Sequence, residues 1–185
     1  YVTALDDSGQ SARYPAFLDP LNSAEYLGTV IHDPTIETNL PLYQWFSENP
    51  NAFRTDAGGR GSLFYNGELY DNVFLNLHGQ STKGMPKKSY NVDFNSDHRF
   101  AWGPGLERMK DINVLTTYAD KSRVRNTIAY EVFGDIGHAT HLAQPVRVHE
   151  NGVYIGLYDA VEDPDDIWLE RTGLDGDGAL YKMYN

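Results

Sequence analysis

The sequence predicts an α+β fold: an antiparallel sheet of about five strands, covered on one face by a single packed helix. Three observations predict it. Apolar and polar residues alternate at Val73/Leu75/Leu77, at Tyr90/Val92/Phe94 and on both sides of Asn151-Gly152, which is the two-residue period of half-buried strands. The Asn-Gly pairs at 66–67 and 151–152 are strong signals for two-residue hairpins. Between Lys121 and Ile136, Val124, Ile128, Val132 and Ile136 recur every four residues, with Ala129 and Phe133 widening the stripe into the apolar face of a helix.

The elements follow in order. Residues 1–60 form an irregular lead-in with Pro15, Pro20 and Pro34, relieved by a short helix over Asn39–Glu48 that Asn39 caps, Pro41 opens and Pro50 stops. Residues 61–162 form the sheet unit. Its first hairpin pairs Ser62–Tyr65 with Val73–Leu77, and a polar loop then leads to the strand ending at Phe94. A long loop follows to Lys110, then an extended segment Asp111–Thr116, then the helix, capped by Asp120 or Ser122 and ended by Gly137. Pro145–Glu150 and Val153–Tyr158 make the last hairpin. Residues 163–185 form a connecting segment, with Asp163 as N-cap and Pro164 as first residue of a short helix that Gly173 closes. From Asp175 the chain reads as a turn and the beginning of a strand, as expected of part of a longer protein.

Composition narrows the function. An apolar fraction of 41% fits a folded globule, and no apolar run reaches the length that spans a bilayer, so no membrane span is expected. The absence of cysteine excludes disulfides, thiolate catalysis and sulfur-based zinc sites. A formal charge of −11 argues against nucleic-acid binding. The charge is uneven, with nine Lys/Arg against five Asp/Glu from Lys83 to Arg125, and nine acids against one base from Glu150 to Asp177. A basic middle in an acidic chain suits an anion site.

The loop Gly79-Gln-Ser-Thr-Lys-Gly84 gathers backbone N–H groups, the hydroxyls of Ser81 and Thr82 and the ammonium of Lys83, the groups that hold phosphate. The same composition serves an ordinary solvated loop, and neither G-x-x-x-x-G-K-[ST] nor a G-x-G-x-x-G leading into a helix is present. Arg125 falls near the middle of the helix's apolar arc, where it either meets an anion or carboxylate or snorkels to water. Asp163, Asp165 and Asp166 suit a helix N-terminus better than a metal site, Asp175-Gly-Asp177 lacks a calcium loop's distal glutamate, and the histidines form no His-x-x-x-His pair on a predicted helix. No metal ligands are assigned.

The order of β-loop-β, helix and hairpin is that of a protein-kinase small lobe. His78-Gly-Gln-Ser-Thr82, Pro86-Lys-Lys-Ser-Tyr-Asn-Val-Asp-Phe94, Tyr118-Ala-Asp-Lys-Ser-Arg-Val-Arg-Asn126, and Asn151-Gly-Val-Tyr-Ile-Gly-Leu-Tyr158 with Glu162 resemble the CotH kinase family of atypical protein kinases. His78 stands where the family usually has arginine. The resemblance implies a secreted or spore- or cell-surface enzyme that uses ATP with Mg or Mn to phosphorylate serine in a coat or surface protein. It implies a phosphate cation at Lys88, with Lys87 second, because Lys88 shares parity with Tyr90, Val92 and Phe94. Arg125 would be a second cation, Glu131 the lysine's partner and Glu162 a neighbour of the adenine. The catalytic aspartates would lie downstream of Leu180-Tyr181-Lys182, beyond Asn185 and in a large lobe that is missing or incomplete, so no catalytic residue is assigned and this segment alone is expected to be inactive. The alternatives are a non-catalytic CotH-like cell-surface binding protein and a sheet domain whose basic loop binds an anionic polymer.

Overall fold

The structure is a computed structural model and describes residues 1–31 and 33–181. Among them lie β1 (Val2–Leu5), β2 (Ser11–Tyr14), β3 (Leu42–Phe46), β4 (Gly59–Tyr65), β5 (Glu68–His78), β6 (Ser89–Asp93), β7 (Asp111–Thr116), α1 (Arg125–Asp135), β8 (Ala143–Glu150), β9 (Val153–Glu162) and α2 (Asp166–Arg171). Short 3-10 turns occupy Ala52–Arg54 and Ser81–Gly84. β1 and β2 pair only with each other. The other seven strands close into a barrel in the order β3-β4-β5-β6-β7-β9-β8, sealed where β3 runs parallel to β8.

This barrel overturns the expected α+β small lobe with a five-stranded sheet and a packed helix. The first reason is β3. Pro41 suggested a helix start over 39–48, but Tyr43 and Trp45 alternate inward and are fully buried, and pairing with β4 and β8 satisfies the backbone on both sides. Distant strand partners override the local helix signal. The second reason is α1. It is a helix, four residues shorter at its start than expected, but Ile128, Val132, Phe133 and Ile136 are 51–65% exposed and only Thr127 is buried. The periodicity located the helix and not a packing partner.

Strand side chains fill the core instead. Tyr43, Trp45, Leu63, Tyr70, Val73, Leu75, Tyr90, Val92, Ile112, Val114, Val146, Val148, Tyr158 and Ala160 form one cluster inside the barrel, closed by Phe53, Phe94, Phe100 and Met109 from the connections. On β5 the inward parity changes between Tyr70 and Val73, where Asn72 has positive φ opposite a register irregularity in β4. Both Asn-Gly turns form as expected, with φ of 49° and 83° at Asn66-Gly67 and 48° and 82° at Asn151-Gly152.

At the C-terminal end α2 begins two residues later than expected. Asp165, not Asp163, is its N-cap, accepting from Trp168 N at 3.0 Å. Residues 174–181 contain a turn and no strand, while the rest of the strand expected there, with Lys182, lies outside the described residues. Among the described residues no helix is long and apolar enough to cross a membrane.

Candidate functional site

Charged groups gather where the β5–β6 connection meets β9. Arg54, Pro86, Lys87, Lys88, Tyr90, Ile155 and Tyr158 line an open cleft of about 320 Å³. A larger cleft of about 600 Å³ beside Gly59–Ser62 brings only Arg60 and Glu48 as charged groups, so the chemistry concentrates in the smaller one.

Lys87 is the group that enters it. Its ammonium donates to Leu157 O, lies 3.4 Å from Thr117 Oγ1 and sits 3.8 Å above the Tyr158 ring. The floor is anchored in the barrel core, where Tyr158 and Tyr90 both pack edge-on against Trp45 and lie tilted against each other. Gly156, at φ 141°, leaves the passage open: a Cβ there would lie 3.0 Å from Lys87 Cε and Nζ. Half-burial pushes the Lys87 pKa down to about 8, with the nearby positive charge of Arg123 acting the same way and Asp159 opposing.

A hydrogen-bonded hub lies behind Lys87. Thr117 is 3% exposed; its hydroxyl donates to Leu157 O at 3.0 Å and accepts from Arg123 Nη1 at 3.0 Å. Asp120 shapes the turn that aims Arg123. Its carboxylate accepts from Ser122 N at 2.9 Å and from Arg125 N at 3.0 Å, and Arg123 between them has φ of 66°. Those bonds, that from Arg125 N foremost, hold the Asp120 carboxyl down at about 2. On the neighbouring face Asp159 is 1% exposed and meets Asn126 Nδ2 at 3.3 Å, while its Oδ1 is buried without a hydrogen bond. Burial, then Asp120, raise the Asp159 carboxyl to about 6 against Asn126 and Lys87.

The residues singled out from the sequence are only partly brought together. Lys87 occupies the cleft. Lys88 reaches back to Lys83 O and ties the two ends of the loop, because β6 begins at Ser89 and strand alternation does not extend to residue 88. Ser81 and Thr82 lie in the 3-10 turn, Ser81 exposed and Thr82 Oγ1 donating to His78 O at 3.2 Å, with no hydrogen bond to Lys87. Arg125 is exposed at the start of α1 and lies 3.3 Å from Asp120, so it takes the outward alternative. Glu131 is exposed on α1 and forms no ion pair with a lysine among the described residues. Glu162 is buried against α2: both its oxygens take Arg171, and Oε2 also accepts from Leu142 N at 2.9 Å. It anchors α2 rather than facing the cleft.

Thr117, Arg123 and Asp159 were not singled out from the sequence. Arg123 and Asp159 do fall in or beside the quoted motifs, but only the turn at Asp120 and the register of β9 reveal where they point. Among the described residues no three carboxylates or histidines converge as a metal site.

Comparison with known proteins adds two findings. A model of the CotH kinase protein family matches residues 75–185, the stretch that holds Lys87, Thr117, Arg123 and Asp159. The chain is similar to the inner spore coat protein H of Bacillus subtilis (strain 168), at 26% identity over 152 residues. That alignment covers 78% of the chain and 40% of the relative, so the chain spans less than half of that relative's length.

Proposed function

The chain belongs to the CotH kinase protein family, and on that premise we propose that it carries the phosphate-facing part of an ATP-dependent protein serine kinase associated with the spore coat or cell surface. The observation that carries the reading is Lys87: a half-buried ammonium at a cleft mouth, held by a carbonyl, a hydroxyl and an aromatic face and by no carboxylate among the described residues. ATP with Mg or Mn would supply the transferable phosphoryl group. The substrate would be serine in a partner coat or surface protein.

Phosphoryl transfer is accelerated mainly by fixed positive charge on the phosphates and by positioning. Lys87 supplies the charge, and the Tyr158–Trp45 floor fixes it. With a pKa of about 8 the lysine is mostly protonated at pH 7, and partial exclusion of water strengthens its pull on an anion. Lys88 lines the same cleft and ties back the loop that leads into it. The aspartates that would complete the chemistry belong, by family resemblance, beyond Asn185, so turnover is proposed for the whole protein and anion binding for this segment.

Calorimetric titration with MgATP and MnATP tests this on the longest available chain. Lys87→Met is expected to weaken binding about tenfold or more, the worth of a charge-assisted contact, and Lys88→Met much less. No binding to the wild type, or equal losses in both variants, would transfer the chain to the non-catalytic surface-binding reading.

A further inference from the structure

Lys87 is not the only cation turned toward Thr117. Arg123 donates to both the carbonyl and the hydroxyl of that residue, at 3.2 and 3.0 Å, and Lys87 approaches the same hydroxyl. The hydroxyl's hydrogen goes to Leu157 O, leaving its lone pairs to the two cations. Neither cation lies within ion-pair distance of a carboxylate among the described residues, although the chain carries a net charge of −11. Two like charges gathered on neutral acceptors repel each other unless an anion joins them. Arg123 also holds a left-handed backbone, which a non-glycine residue adopts at a cost and which the Asp120 turn maintains. Arg123 and Arg125 are both exposed, but Arg125 lies beside the Asp120 carboxylate whereas Arg123 turns to the carbonyl and hydroxyl of Thr117.

We propose that Arg123, beside the cleft rather than in its lining, is a second phosphate-binding cation, and that Lys87 and Arg123, joined through Thr117, close on a single phosphate-type oxyanion. The proposal rests on the nucleotide reading only for the source of that oxyanion, since a free polyphosphate carries the same chemistry. A guanidinium suits the role because its planar fork presents paired N–H donors to two oxygens of one phosphate, whereas the lysine acts as a point charge. The lowered Lys87 pKa agrees with the arrangement, Arg123 being one of its causes.

The test is calorimetric titration of the protein with inorganic tripolyphosphate, with adenosine and with MgATP at low salt. Arg123→Asn is the main variant, because asparagine tolerates the left-handed backbone and the turn survives. Arg123→Lys keeps the charge without the fork, and Arg125→Gln controls for general charge loss. Melting temperatures establish that each variant is folded. The expected result is tripolyphosphate binding that weakens about tenfold or more in Arg123→Asn, partly recovers in Arg123→Lys and is unchanged in Arg125→Gln. Absence of tripolyphosphate binding, or a loss in Arg123→Asn no greater than in Arg125→Gln, would overturn the proposal. If MgATP binds with full affinity to Arg123→Asn, the proposal fails while the nucleotide reading stands. If tripolyphosphate binding depends on Arg123 but MgATP binds no more tightly than tripolyphosphate and adenosine not at all, the anion site stands and the nucleotide reading fails.

Discussion

Replacing Asp111 by asparagine should stabilise the protein at alkaline pH and leave it unchanged at acid pH. Asp111 on β7 lies directly across from Asp93 on β6, and like charges opposed on neighbouring strands repel. Asp163 and Asp165 add to the repulsion, Lys110 alone opposes it, and Asp111 Oδ1 is buried without a hydrogen bond. Burial, the largest cause, and these neighbours raise the carboxyl from 3.8 to about 7. The folded state therefore holds a proton that the unfolded chain releases near pH 4. The contribution of Asp111 to stability is most favourable below that pH, falls as pH rises toward 7, and its full cost is present above it. About three pH units at 1.36 kcal/mol each give about 4 kcal/mol, which partial solvation of the carboxylate reduces to about 2 kcal/mol. Asparagine resembles the protonated acid and removes that cost. For a chain of this length the gain corresponds to a melting temperature about 4–8 °C higher at pH 8. Thermal unfolding followed by circular dichroism at pH 4 and pH 8 measures it. A difference that is the same at both pH values, or a loss of stability at pH 8, would refute the reasoning.

Two further substitutions probe the fold. Arg171→Met leaves Glu162, only 2% exposed, without its ionic partner, and should cost about 3 kcal/mol or more in urea unfolding, with α2 the first element to lose protection from hydrogen exchange. Ile128→Ser removes an apolar side chain from the exposed face of α1 and should change stability by no more than about 0.5 kcal/mol, whereas a packed helix would lose several times that.

The features readable in the sequence were those decided locally. Asn66-Gly67 and Asn151-Gly152 specify their turns because both positions need positive φ, and the four-residue spacing after Val124 specifies a helix because side chains at that spacing share a face. What escaped depends on partners distant in the chain. Leu42–Phe46 is a strand because β4 and β8 flank it, and the parallel closure to β8 leaves no trace in the local pattern. The apolar stripe of α1 carries no information about whether anything covers it. In the site, the proposal of Lys87 in place of Lys88 turns on β6 beginning at Ser89, and that of Arg123 in place of Arg125 on α1 beginning at Arg125 after the Asp120 turn. The opposition of Asp93 and Asp111 is visible only once the register of β6 and β7 is known.

The most direct measurement of the central claim is the titration of Lys87 itself, with its lysines dimethylated by ¹³C-formaldehyde and the Lys87 methyl signal assigned by Lys87→Arg. In the free protein Lys87 should titrate near 8. With saturating MgATP a phosphate beside the ammonium should raise that value by at least about one pH unit, because the anion favours the charged form. Nucleotide that binds while Lys87 continues to titrate near 8 would contradict the assignment of Lys87 as the phosphate cation.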